Sequence, residues 1–150
     1  MKSKIDKTHI LKVCVQKQQE LIDSFKQREA EMYKDTFNQD AIASQTEDRK
    51  AGKVDLLKAL GNELVFAQEE LVYLNSVDVT EESTQVEPGA VVVTNQITFF
   101  IGVSSEKVEV DGQVVFGIST KAPIYANMVG LKKGGAFQFN ETKYLIEDLY

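Results

Sequence analysis

The chain has little with which to do covalent chemistry. Its single cysteine, Cys14, excludes an internal disulfide and suits a reducing compartment. Its single histidine, His9, stands five residues before that cysteine. Residues five apart do not meet on one helical face, so they make no Cys–His nucleophilic pair, and no third orienting residue stands near. No spacing of Cys and His suits a metal site. The one glycine-rich stretch, "GLKKGGAF", lacks the Gly-Lys-Ser/Thr ending of a nucleotide-binding loop, and Lys132 and Lys133 read as a solvated turn. These absences predict a protein that is not an enzyme by itself and has no cofactor of its own. Basic residues are outnumbered 17 to 23, leaving a net charge of -6. That balance argues against sequence-specific or general nucleic-acid binding, which needs clustered cations on phosphate. It leaves room for a partner with a basic surface or channel. No apolar run approaches the ~20 residues that span a bilayer, and "MKSKIDKTHILKVCVQKQQE" has no signal-peptide core, so no membrane association and a cytoplasmic location are expected.

Proline is absent from residues 1–77, and the only glycines there are Gly52 and Gly61. What fills this half is helical periodicity. Leu11, Val15, Gln18, Ile22, Phe25, Glu29, Met32 and Thr36 advance in alternating steps of four and three. Leu57, Leu60, Leu64, Ala67, Leu71 and Leu74 do the same without a miss. Two such seams bury each other most simply as an antiparallel helical hairpin, with Leu71 near Leu11 and Phe25 near Leu57. The turn falls around residues 38–50, a polar stretch containing Asp40, Glu47 and Asp48. Helices of ~30 residues at 1.5 Å each make a rod of ~45 Å. Acids ahead of a helix also serve as caps and dipole partners.

The period changes after residue 80. "VDVTEESTQVEPGA" reads as a polar, solvated linker, and β-branched runs follow it. "AVVVTNQITFFIGVS" suggests a hairpin around the weak turn signal Asn95-Gln96, and Asp111-Gly112 between two alternating runs is a strong one. In "ISTKAPIYANMVGLKKGGAFQFN" a strand ends near Ser119, and Pro123 opens a short helix. That helix would set Ile124, Met128 and Leu131 on a sheet. Gly130 takes the positive φ that stops it, and Phe137 and Phe139 then share one face of a strand. "KYLIEDLY" is the last strand. The fold class is α+β: a helical hairpin at 1–77, a linker at 78–89, and a small antiparallel sheet with one helix at 90–150.

This architecture, with "ISTKAPIYANMVGLKKGGAFQF" in its second half, resembles the Gre family of bacterial transcription elongation factors, including its non-cleaving regulatory relatives. The family carries an Ile-Ser-x-x-Ser-Pro-Ile-Ala-x-x-Leu-x-Gly-x-x-x-Gly-Asp-like run. Ile118, Ser119, Pro123, Ile124, Gly130 and Gly134 fit it, Ala126 stands one position after its alanine, Ala122 stands for its serine and Gly135 for its acid. Val77 to Thr80, "VDVT", resembles the family's exit from the coiled coil. The resemblance implies an FK506-binding-protein-like second domain docking on RNA polymerase and a hairpin entering its secondary channel. Two tip acids there would help hold the polymerase's catalytic Mg²⁺ for transcript cleavage. Carried to this chain, the tip acids are Glu47 and Asp48, with Asp40 a further partner. The cleavage-competent tip, roughly Asp-Leu-x-Glu-Asn-Ala-Glu-Tyr, is replaced here by "SQTEDRKAGKV", with the two acids adjacent. Channel binding without cleavage is the version this favours. The alternative is a protein–protein interaction module unrelated to transcription.

Overall fold

A computed structural model of the chain describes residues 4–37 and 47–150. Two long helices come first, α1 (Lys7–Phe37) and α2 (Glu47–Ser76). Six strands follow: β1 (Val91–Thr94), β2 (Thr98–Gly102), β3 (Lys107–Val110), β4 (Gln113–Ser119), β5 (Ala136–Phe139) and β6 (Thr142–Leu149). A short helix, α3 (Pro123–Met128), lies between β4 and β5. The fold is the expected α+β arrangement of a helical hairpin followed by a sheet. No helix among the described residues is long and apolar enough to cross a membrane.

The chain forms two compact units, Lys17–Val72 and Met1–Gln16 with Tyr73–Tyr150. This division differs from the 1–77, 78–89 and 90–150 read from the sequence, because the first turns of α1 and the last of α2 supply core to the sheet unit. There, Ile5, Ile10, Cys14, Leu74 and Val77 pack with Val91, Val93, Phe100, Val108 and Val115. Asp6 opens α1, its carboxylate accepting the Thr8 N–H at 2.9 Å.

In the hairpin unit both seams hold. Gln18, Ile22 and Thr36 are buried on α1, as are Leu60 and Ala67 on α2. Phe25, Glu29, Met32, Leu57, Leu64 and Leu71 are half-buried. The register differs from the expected one by nearly a helical turn. The amide of Gln18 donates to the carbonyl of Ala67 at 2.9 Å, where the expected pairing puts Leu64 opposite. A buried amide left unpaired is costly, and the small side chain of Ala67 lets it reach the backbone.

The sheet runs in the order β3-β4-β2-β1-β6-β5. It is mixed, not wholly antiparallel: β4 lies parallel to β2, Phe99 opposite Phe116. β3 sits outside, and β4 folds back from it between β3 and β2. Asp111 and Gly112 both take positive φ in that tight turn, as Asp-Gly allows. The β1–β2 turn is closed by Thr94, whose hydroxyl donates to the Ile97 carbonyl at 2.6 Å and accepts the Ile97 N–H at 3.0 Å. β1 is buried along its whole length.

The second sheet face carries its own core: Val86, Ala90, Val92, Phe99, Ile101 and Ile146, covered by Ile124 and Met128 of α3. Pro123 stands at the start of α3, and Gly130 closes it at φ 77°. Leu131, Phe137 and Phe139 join this core as expected. The stretch read as a solvated linker is pinned here. Val86 is buried; its N–H donates to the Leu131 carbonyl at 2.8 Å, and its carbonyl accepts the Gly130 N–H at 3.0 Å. One valine among acids gives no periodicity to read, and its burial depends on a loop more than forty residues away.

Candidate functional site

Asp40 lies outside the described residues. Glu47 and Asp48 are the first two residues of α2, so the helix begins inside the stretch read as the turn, and their side chains lie outside what is described. Adjacent helix positions do not share a face as i, i+3 or i, i+4 positions do. Among the described residues no group of three His, Cys, Asp or Glu side chains gathers to hold a metal ion.

The single cysteine and the single histidine both lie in the sheet unit. Cys14 is buried, and burial pushes its thiol up to about 11. A thiol so shifted stays protonated and weakly nucleophilic near neutral pH. His9 is exposed; its Nδ1 lies 3.1 Å from an Asp111 carboxylate oxygen, and its Nε2 lies 3.9 Å from Asp6. It ties the start of α1 to the β3–β4 turn. The sequence reading of His9 as a solvated helix residue missed this, because Asp111 is 102 positions away.

Around the exit of α2 the geometry is electrostatic. Lys7 is buried and donates to the Glu81 carbonyl at 3.0 Å; burial lowers its pKa against the opposing pull of Glu87, Asp78 and Glu82. The Asp78 carboxylate accepts the hydroxyl and N–H of Thr80 at 2.6 and 2.8 Å, which hold its pKa below the usual carboxylate range. These bonds give "VDVT" a fixed local shape. Gly89 is packed against it at φ 90°, where a Cβ would meet the Asp78 carbonyl at 2.5 Å.

Two concave surfaces stand out. In the sheet unit a cavity of about 410 Å³ is lined by Gln96, Ile97, Thr98, Gly112, Gln113, Val114 and Phe116. In the hairpin unit a groove of about 420 Å³ runs between Arg28, Glu31, Met32 and Asp35 of α1 and Leu56, Ala59, Leu60 and Glu63 of α2. Neither is lined by a nucleophile with a base beside it. Both have the chemistry of binding surfaces, apolar floors with a few polar groups.

No family model matches the chain, and no curated protein matches it. Among solved structures, the crystal structure of GreA factor homolog 1 (Gfh1) of Thermus thermophilus is similar at 12% identity and a TM-score of 0.35, over 91% of this chain and 94% of that one.

Proposed function

We propose that the chain binds bacterial RNA polymerase through its secondary channel and modulates transcription elongation. The observation that carries the reading is the union of an antiparallel helical hairpin with a sheet unit built around the Gre-like run. In that run Pro123 opens α3, Ile124 and Met128 seat it on the sheet, and Gly130 stops it. Three of the residues shared with the family motif, Pro123, Ile124 and Gly130, thus shape this element. Asp40, which lies between α1 and α2 in sequence, and Glu47 and Asp48 at the start of α2 would be drawn toward a basic channel.

Carboxylates are suitable hard ligands for Mg²⁺. Glu47 and Asp48 are adjacent in sequence, where the cleavage-competent Gre tip has its acids spaced. A Mg²⁺ ion in the complex would take its ligands from polymerase and substrate, and the chain alone would have no nuclease activity. Channel occupancy without stimulated cleavage is therefore the favoured form. The test is a cleavage and elongation assay on stalled polymerase complexes, with the natural chain and Glu47→Ala/Asp48→Ala. Slower elongation and competition with a cleavage factor are expected. Release of short RNA that the double variant abolishes would replace the non-cleaving form with a cleaving one. No association with core polymerase at concentrations on the order of tens of micromolar would overturn the reading altogether.

A further inference from the structure

Beside each buried seam of the hairpin runs a second stripe that its partner helix does not cover. On α2, one position before Leu57, Leu60, Leu64 and Ala67, stand Leu56, Ala59, Glu63 and Phe66, in steps of three, four and three. On α1, Leu21, Arg28 and Asp35 follow one another at intervals of seven. The groove of about 420 Å³ lies where the two stripes face one opening, since Arg28 and Asp35 line one wall and Leu56, Ala59 and Glu63 the other. Leu21 shares the helical phase of Arg28, and Phe66 that of Ala59. The bulky apolar side chains of these stripes are left in water: Leu56 is 58% exposed, Phe66 53% and Leu21 42%.

Two heptad-spaced stripes flanking one groove make the seat that a third helix fills in a three-helix coiled coil. Its charge is one-sided. Among the described residues that line it, Glu31, Asp35 and Glu63 stand against Arg28 alone, and α2 carries no Lys or Arg after Lys58. We propose that this groove docks a basic amphipathic α-helix of a partner protein, with apolar side chains between Leu56, Ala59 and Phe66 and cations against Glu31, Asp35 and Glu63. An acidic helix would meet like charge at Glu31, Asp35 and Glu63. The inference rests on the hairpin unit alone and does not depend on the polymerase reading.

The experiment titrates the full chain with two synthetic amphipathic peptides of about three heptads. They share one Leu/Ala seam and carry either Lys or Glu at the flanking positions. The Lys peptide is expected to bind at least about tenfold more tightly at moderate salt. Leu56→Ser/Phe66→Ser should weaken it by about tenfold or more, with far-UV circular dichroism unchanged because both positions are exposed. Glu31→Lys/Glu63→Lys should shift the preference toward the Glu peptide. Should a variant fail to fold, amide shift mapping on the unaltered chain decides, perturbations along residues 21–35 and 56–66 supporting the groove and perturbations elsewhere overturning it. Equal affinity for both peptides would overturn the proposal. So would binding that survives Leu56→Ser/Phe66→Ser undiminished, which is charge attraction alone. Sedimentation showing a dimer that the same double variant makes monomeric would assign the groove to a second copy, and overturn it too.

Discussion

The sheet unit and the hairpin unit solve burial in different ways. β2 sits between two cores, so the neighbours Phe99 and Phe100 point to opposite faces and both are buried. α1 and α2 share a single seam, and two of its buried positions, Gln18 and Thr36, are polar. Thr36 satisfies itself on the Met32 carbonyl at 2.8 Å, and Gln18 reaches across to Ala67. A strand in a covered sheet loses its water on two sides. A helix in a two-helix hairpin loses it along one stripe, and α2, with Leu56, Val65, Phe66 and Val72 exposed, keeps more apolar surface than one stripe can hide. The sheet unit also leaves Val114, Val129 and Leu145 exposed, but each stands singly on its strand or loop, whereas those of α2 include the adjacent pair Val65 and Phe66.

The sharpest way to break this comparison is to remove the helix ends from the sheet unit. A fragment of residues 84–150 loses Ile10, Cys14, Leu74 and Val77 from the face holding Phe100. Loss of cooperative unfolding and of amide shift dispersion is expected. A well-dispersed spectrum would mean that the sheet needs only one covered face, and would restore the boundary near residue 90 read from the sequence.

Point substitutions come next. Phe100→Ala should cost about 3–5 kcal/mol and Ile22→Ala about 2–5 kcal/mol in denaturant unfolding. Leu64→Ala, half-buried, should cost less than Ile22→Ala. Hydrogen exchange separates the units: Ile22→Ala should speed exchange in residues 17–72 and leave β1, β2 and β6 protected. Uniform acceleration through both would show one cooperative body.

The smallest effect is alkaline. Burial raises the Cys14 thiol from its ordinary value of 9.0 to about 11, and burial also raises Tyr150, whose hydroxyl oxygen accepts the Ile5 N–H at 2.7 Å. A raised folded pKa means that the unfolded chain ionises first. The associated stability is whole below about pH 9 and declines as pH climbs through 11. The slope is at most about 1.4 kcal/mol per pH unit for each group. Urea unfolding at successive pH values should show this fall, and Cys14→Ala should flatten it. An unchanged slope in that variant would place Cys14 outside the sheet unit's core.

Much of the local structure was legible. Seam positions of α1 and α2, the Asp111-Gly112 turn, the start of α3 at Pro123 and the positive φ of Gly130 each follow from a few neighbouring residues. The register of the hairpin was not, because the buried amide of Gln18 chose a backbone carbonyl rather than a leucine opposite. The candidate tip residues Asp40, Glu47 and Asp48 were read as acids around a turn, and Asp40 lies outside the described residues. Their setting was less legible, since α2 already begins at Glu47.

The sequence by itself determined the element types and their punctuation, since periodicity and turn chemistry act over the span of one or two turns of chain. Tertiary structure alone decided that β4 runs parallel to β2, that Val86 is strapped into the second core, and that Cys14 serves the sheet while His9 meets Asp111. It also decided which apolar side chains of α2 stay in water. Those outcomes depend on how distant apolar faces close over one another and how buried polar groups find partners, and neither is written in any short window of residues.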